Sequence, residues 1–147
     1  MIAITGAGEY LDIIRPYDEI LLNKLKDDPY VLCFPTAAGL ESKDRIQYWL
    51  DLGNDHFTKL NVNHKSIRAL NVDDYNKPET LAEIEKANFI YFSGGNPNHL
   101  YDTLSSSLAW EKLLNIHNNG GILAGCSAGA MIMGEKMNKG KGFGFFK

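Results

Sequence analysis

GILAGCSAGAM, residues Gly121 to Met131, passes from a short apolar run into a helix-like segment and sets two nucleophile types, Cys126 and Ser127, at the junction. A nucleophile elbow needs a strand that turns sharply into a helix. Its strain is tolerable only where small residues stand two positions either side of the nucleophile. Centred on Ser127, those flanks are Gly125 and Gly129; centred on Cys126, they are Ala124 and Ala128, whose β-carbons would crowd the turn. The spacing therefore selects Ser127 and sends Cys126 into packing. A G-x-S-x-G pattern alone arises by chance in about one chain in twenty of this length, so the surrounding sequence has to carry the rest.

Outward from the elbow, five short apolar runs punctuate the chain: Met1 to Thr5, Tyr30 to Phe34, Ile67 to Val72, Phe89 to Phe92 and Ile122 to Ala124. Near-continuous apolarity over so few residues predicts parallel strands buried on both faces. Between the runs, Tyr17, Ile20, Leu21, Lys24 and Leu25 follow helical spacing, as do Trp110, Leu113, Leu114 and His117. Thr80 with Glu83 has the form of a capping box. Strands alternating with helices predict an α/β fold, a doubly wound and mainly parallel sheet with helices on both faces. NVNHK and NVDDYNKP read as polar loops, and no repeat, low-complexity segment or linker divides the chain, so residues 1–147 read as one domain.

Composition narrows the function classes. With 147 residues, 44% of them apolar, the chain can bury a real core. A net charge of −3 without runs of like charge argues against nucleic acid or an anionic membrane as partner. No apolar run approaches the ~20 residues of a membrane span, and MIAITGAGEY has the pattern of a first strand rather than a leader. The two cysteines, Cys33 and Cys126, lack metal-type spacing and fit a reduced, cytoplasmic setting. No cofactor or metal is expected.

In doubly wound sheets ligands bind at the carboxyl ends of the strands, which here read GAGE, PTAAG, SGGNPN and GCSAG. An oxyanion hole needs two N–H groups, typically one after the nucleophile and one from a neighbouring loop. Ala128 and Gly95 are the expected pair, with Gly94 the weaker choice. Asn96 reads equally as the N-cap of a helix that Pro97 opens. Glu9, closing GAGE, stands where the first strand ends, and with Gly94 and Asn96 it makes up the expected substrate side.

YFSGGNPNHLYDTL, GGILAGCSAGAMIMGE and the closing GFGFF, Gly142 to Phe146, together resemble the dipeptidase E and cyanophycinase family of serine peptidases. The resemblance implies a class I glutamine amidotransferase-like fold, a small peptide substrate of the aspartyl kind, and Ser127 as nucleophile in place of the amidotransferase cysteine. It also implies a histidine base and an acidic partner after the serine. The twenty residues after Ser127 contain no histidine and one carboxylate, Glu135. GFGFF resembles the segment leading into the strand before the family's catalytic histidine. The chain accordingly reads as the N-terminal portion of a longer family domain and, lacking the base, as nearly inactive. Among the other histidines, His99 is expected to face solvent, His117 to pack beside its helix stripe, and His56 and His64 to sit in polar surroundings.

Two rival readings stay open at this level. One is a non-catalytic domain whose exposed sheet edge pairs with another chain, a second copy included. The other is a thiol enzyme using Cys126, which requires a depressed thiol pKa in a partly exposed site.

Overall fold

A computed structural model describes residues 1–147. Five parallel strands form one sheet in the order β1-β5-β4-β2-β3. They are β1 (Ile2–Thr5), β2 (Tyr30–Phe34), β3 (Asn63–Ser66), β4 (Phe89–Phe92) and β5 (Ile122–Cys126). Register pairs Thr5 with Cys126, Phe92 with Gly125 and Phe34 with Phe92, so the carboxyl ends of four strands finish level with one another.

Each central strand is buried on both sides, and its period-two alternation feeds two cores. Leu32, Phe34, Ile90, Phe92 and Leu123 point to one face. There they meet Tyr75 of α3 (Val72–Asn76), Ile84 of α4 (Pro78–Lys86), Leu100 of α5 (Pro97–Ser105), Leu113 of α6 (Ala109–Asn118) and Ala128 of α7 (Ala128–Met131). Val31, Cys33, Phe89, Tyr91, Ile122 and Cys126 point to the other face, under Leu22 of α1 (Arg15–Leu22) and Phe57 of α2 (Lys43–Lys59). This is the doubly wound α/β fold. A two-strand hairpin, β6 (Lys136–Met137) and β7 (Gly140–Lys141), follows α7, and the closing segment stacks Phe143 on Trp110 with ring centroids 3.5 Å apart. No helix is long and apolar enough to cross a membrane.

Several local expectations give way to tertiary context. The third strand is Asn63–Ser66, which overlaps the stretch NVNHK expected to be a loop, and not the run from Ile67 to Val72. As an edge strand paired only with β2, it alternates exposed and half-buried residues and needs no apolar run. NVDDYNKP folds as α3, with Asn71 accepting from Asp74 N–H at 2.9 Å, and the helix stops before Pro78, which opens α4. The Thr80–Glu83 box does not form, because Lys77 is the N-cap; Thr80 is buried and Glu83 accepts from the Tyr30 hydroxyl. α1 is rotated from its apolar stripe, leaving Tyr17 and Ile20 exposed while Asp18 turns inward to His56, with Nε2 and Oδ2 2.8 Å apart. His56 is therefore buried, not in polar surroundings.

Candidate functional site

β5 enters α7 through Ser127, whose backbone sits at φ 49°, ψ −110°. Only three non-glycine residues have positive φ, namely Tyr10, Asn61 and Ser127. A conformation of this kind costs about 1–3 kcal/mol and persists only where the surroundings hold it. Here Ser127 N–H donates to Thr5 O at 3.1 Å, and Ser127 O accepts from Met131 N–H at 2.9 Å. The two flanking glycines let the turn close: a β-carbon on Gly125 would lie 2.3 Å from the carbonyl carbon of Gly129, and one on Gly129 would lie 2.2 Å from Phe92 O. Ser127 is exposed at the apex, and its side chain does not cap the helix.

The SGGN loop after β4 closes the site from the other side. Asn96 N–H donates to Ala37 O at 2.7 Å, and Gly95 lies so close to that turn that its φ is +143° and a β-carbon would come 2.3 Å from Ala37 O. The N–H groups of Gly95 and Ala128 have no acceptor within the protein. Gly94 N–H, by contrast, donates to Glu9 Oε1 at 3.0 Å and so is already used. Asn96 caps α5, accepting from His99 N–H at 3.1 Å, with Pro97 in the first turn.

Ser127, Gly94, Gly95 and Glu9 line one cleft of about 280 Å³ together with Gly6, Ala7, Glu41, Arg45 and Trp49. Ala128 lies just behind it, buried, and Asn96 lies outside its lining. Arg45 is the cleft's one cation; its guanidinium carbon stands 4.9 Å from the Tyr48 ring centre and 5.0 Å from that of Trp49, with Nε 3.5 Å from Glu41 Oε2. The sequence reading passed over Glu41, Arg45 and Trp49. The available signal was the Ser42 cap, which starts α2 just beyond the carboxyl end of β2. A larger depression of about 410 Å³ lies at the opposite end of the sheet, around Asp28, Asn88 and Gly121, which precede strands. It holds no serine, threonine or cysteine, so the smaller cleft is the site the chemistry favours.

Cys126 is fully buried and donates its S–H to Glu9 Oε2 at 2.8 Å. Burial first, then the Glu9 carboxylate, pushes its thiol up to about 11. That is the opposite of the depressed, exposed thiol a cysteine enzyme requires, and the thiol reading is set aside. With about one thiol in ten thousand ionised at pH 7, native Cys126 should alkylate with iodoacetamide at least about a hundredfold more slowly than an ordinary exposed thiol. Fast native labelling, located by peptide mass spectrometry, would contradict this placement.

No histidine lines the cleft. His99 does not face solvent as expected; it is half-buried, with Nε2 2.7 Å from Leu70 O. His56 is held by Asp18, His64 Nδ1 lies 2.8 Å from Val62 O, and His117 packs on Phe145 at 5.0 Å, as its helix stripe predicts. Glu135 is exposed and outside the cleft. No cluster of His, Cys, Asp or Glu is placed to hold a metal ion.

Comparison with known proteins gives the chain a lineage. A peptidase from an acI-B1 actinobacterium superposes with a TM-score of 0.93 at 34% identity, over 99% of this chain and 64% of that one. A putative peptidase E protein from Listeria monocytogenes EGD-e has the same fold, with a TM-score of 0.66 at 20% identity, over 93% of this chain and 63% of that one. The chain thus spans less than two thirds of either relative. No curated protein matches it. The model of peptidase family S51 matches residues 1–143, and the chain belongs to that family.

Proposed function

We propose that the protein is a serine-type exopeptidase of the dipeptidase E kind, in which Ser127 attacks the scissile carbonyl and the N–H groups of Gly95 and Ala128 hold the oxyanion. The observation that carries this reading is a strained serine raised at a strand-to-helix turn beside two N–H groups without acceptors. Arg45, the only cation in the cleft, supports a small peptide with an acidic, aspartyl-like residue as substrate. Residues 1–147 supply no imidazole to take the serine proton, so by themselves they should turn over about a millionfold below a complete serine triad.

Chemical rescue tests both halves of the proposal. Residues 1–147 are incubated with a fluorophosphonate, with and without free imidazole, and the adduct is located by mass spectrometry beside Ser127→Ala. The expected result is slow labelling at Ser127 that imidazole accelerates and Ser127→Ala abolishes. No labelling even with imidazole would remove Ser127 as the nucleophile. Fast labelling without imidazole would mean that the chain already holds a base.

A further inference from the structure

Glu9 is a buried carboxylate, 7% exposed, that forms no ion pair. Taking a carboxylate out of water without a counter-ion is unfavourable unless hydrogen bonds replace the lost solvation. Here each oxygen takes one donor: Oε1 takes the Gly94 N–H at 3.0 Å and Oε2 the Cys126 S–H at 2.8 Å. Those donors belong to the two segments that frame the cleft, the loop after β4 and the last residue of β5 before the elbow. The residue that follows, Tyr10, is buried at φ 63°. Of the three non-glycine residues with positive φ, one follows Glu9 directly in the chain and another is the elbow serine itself. A costly charge and a costly backbone in the same place point from strain to function.

The geometry is close. A β-carbon on Gly94 would lie 3.1 Å from Glu9 Oε1 and 3.4 Å from Ser127 Cβ, so the width of one residue separates carboxylate from nucleophile. Each oxygen of Glu9 thus spends one of its acceptor sites on the framework of the cleft it lines.

We propose that Glu9 is the positioning residue of the oxyanion hole: it anchors the Gly94 amide and the Cys126 thiol together, which leaves the neighbouring Gly95 N–H directed beside Ala128 N–H. Without that acceptor, the buried Gly94 N–H must find another partner, and the loop that carries Gly95 swings with it. The inference rests on the serine-peptidase reading for its consequence, but its geometry can be measured independently of turnover.

The experiment uses ¹⁵N-labelled wild type, Glu9→Gln and Glu9→Ala. The glutamine oxygen still accepts from Gly94, whereas alanine removes the acceptor. In Glu9→Ala, Gly94 amide exchange should rise about tenfold or more, and the Gly95 N–H order parameter should fall. Glu9→Gln should restore both. Imidazole-assisted fluorophosphonate labelling of Ser127 should fall about tenfold in Glu9→Ala and hold in Glu9→Gln. Unchanged Gly94 exchange in Glu9→Ala would overturn the proposal, as would loosened amides with undiminished labelling. An equal loss of labelling in both variants would also overturn it, because that marks the carboxylate as a base rather than an anchor. Should Glu9→Ala not fold, the Gln variant decides alone: its Gly94 amide must stay protected and its labelling must hold. If no variant labels, wild type included, the nucleophile reading fails, and the amide exchange still decides whether Glu9 anchors the loop.

Discussion

Gly129→Ala is expected to destabilise the fold by more than about 4 kcal/mol. The added β-carbon would stand 2.2 Å from Phe92 O and 3.0 Å from Phe92 Cβ, where ordinary van der Waals contact begins near 3.4 Å. Neither side can yield cheaply. Phe92 is fully buried and belongs to β4, whose backbone is laddered to β2 and β5. On the other side, α7 would have to lift away, and Gly125 packs against the Gly129 backbone while Ser127 is tied to Thr5 O. Ordinary overpacking costs about 1–3 kcal/mol because side chains can re-rotate. A backbone-to-backbone conflict has no such outlet and should exceed about 4 kcal/mol, a large share of the 5–15 kcal/mol that holds a typical domain. Gly6→Ala is the matched control, since a β-carbon there meets nothing within 4 Å, and it should stay within about 0.5 kcal/mol of wild type. Urea unfolding of the two variants checks the claim. Equal midpoints would mean that α7 does not press on β4 as described.

The same contact explains why the elbow was legible in the sequence. Where two backbones touch, only glycine fits, so the three-dimensional constraint is written as a fixed spacing around Ser127. The central strands were legible because burial on both faces forces runs such as YVLCF and FIYF. β3 was not, since an edge strand paired on one side can be spelled NHKS. The rotation of α1 was hidden for another reason: the buried partner of Asp18 is His56, 38 positions away, and no local period reports such a pair. Glu9 and Arg45 fall between these cases. Glu9 was placed near the site by its position after the first strand, but its neighbour Tyr10 takes a left-handed backbone no pattern reports, and Arg45, in the first turn of α2, meets Ser127 only across the cleft.

The second large effect is loss of the fold in alkali. Burial pushes the Cys33 thiol up to about 12 and the Cys126 thiol up to about 11, and it raises the phenols of Tyr10, Tyr75 and Tyr91 well above their ordinary value. All five side chains lie in the two cores that sandwich the sheet. Because the folded values are raised, the native state keeps protons that the unfolded chain has released, so stability is complete below the unfolded thiol value of 9.0 and falls as pH rises. The fully buried Cys33 costs roughly 1–2 kcal/mol per pH unit and removes about 2 kcal/mol between pH 9 and 11, and Cys126 adds a smaller loss of the same sign. The phenols add to this above their unfolded value of 10.0. The sum reaches the typical stability of a whole domain, and a single cooperative transition should appear by about pH 11, with far-UV circular dichroism and phenolate absorbance changing together. Cys33→Ala supplies the internal check. It lowers the starting stability by opening a small cavity, yet it should flatten the dependence of stability on pH by one proton in this window. A slope unchanged by Cys33→Ala, or phenolate absorbance that rises smoothly while the circular dichroism stays native, would show that these groups are not buried as the two cores require.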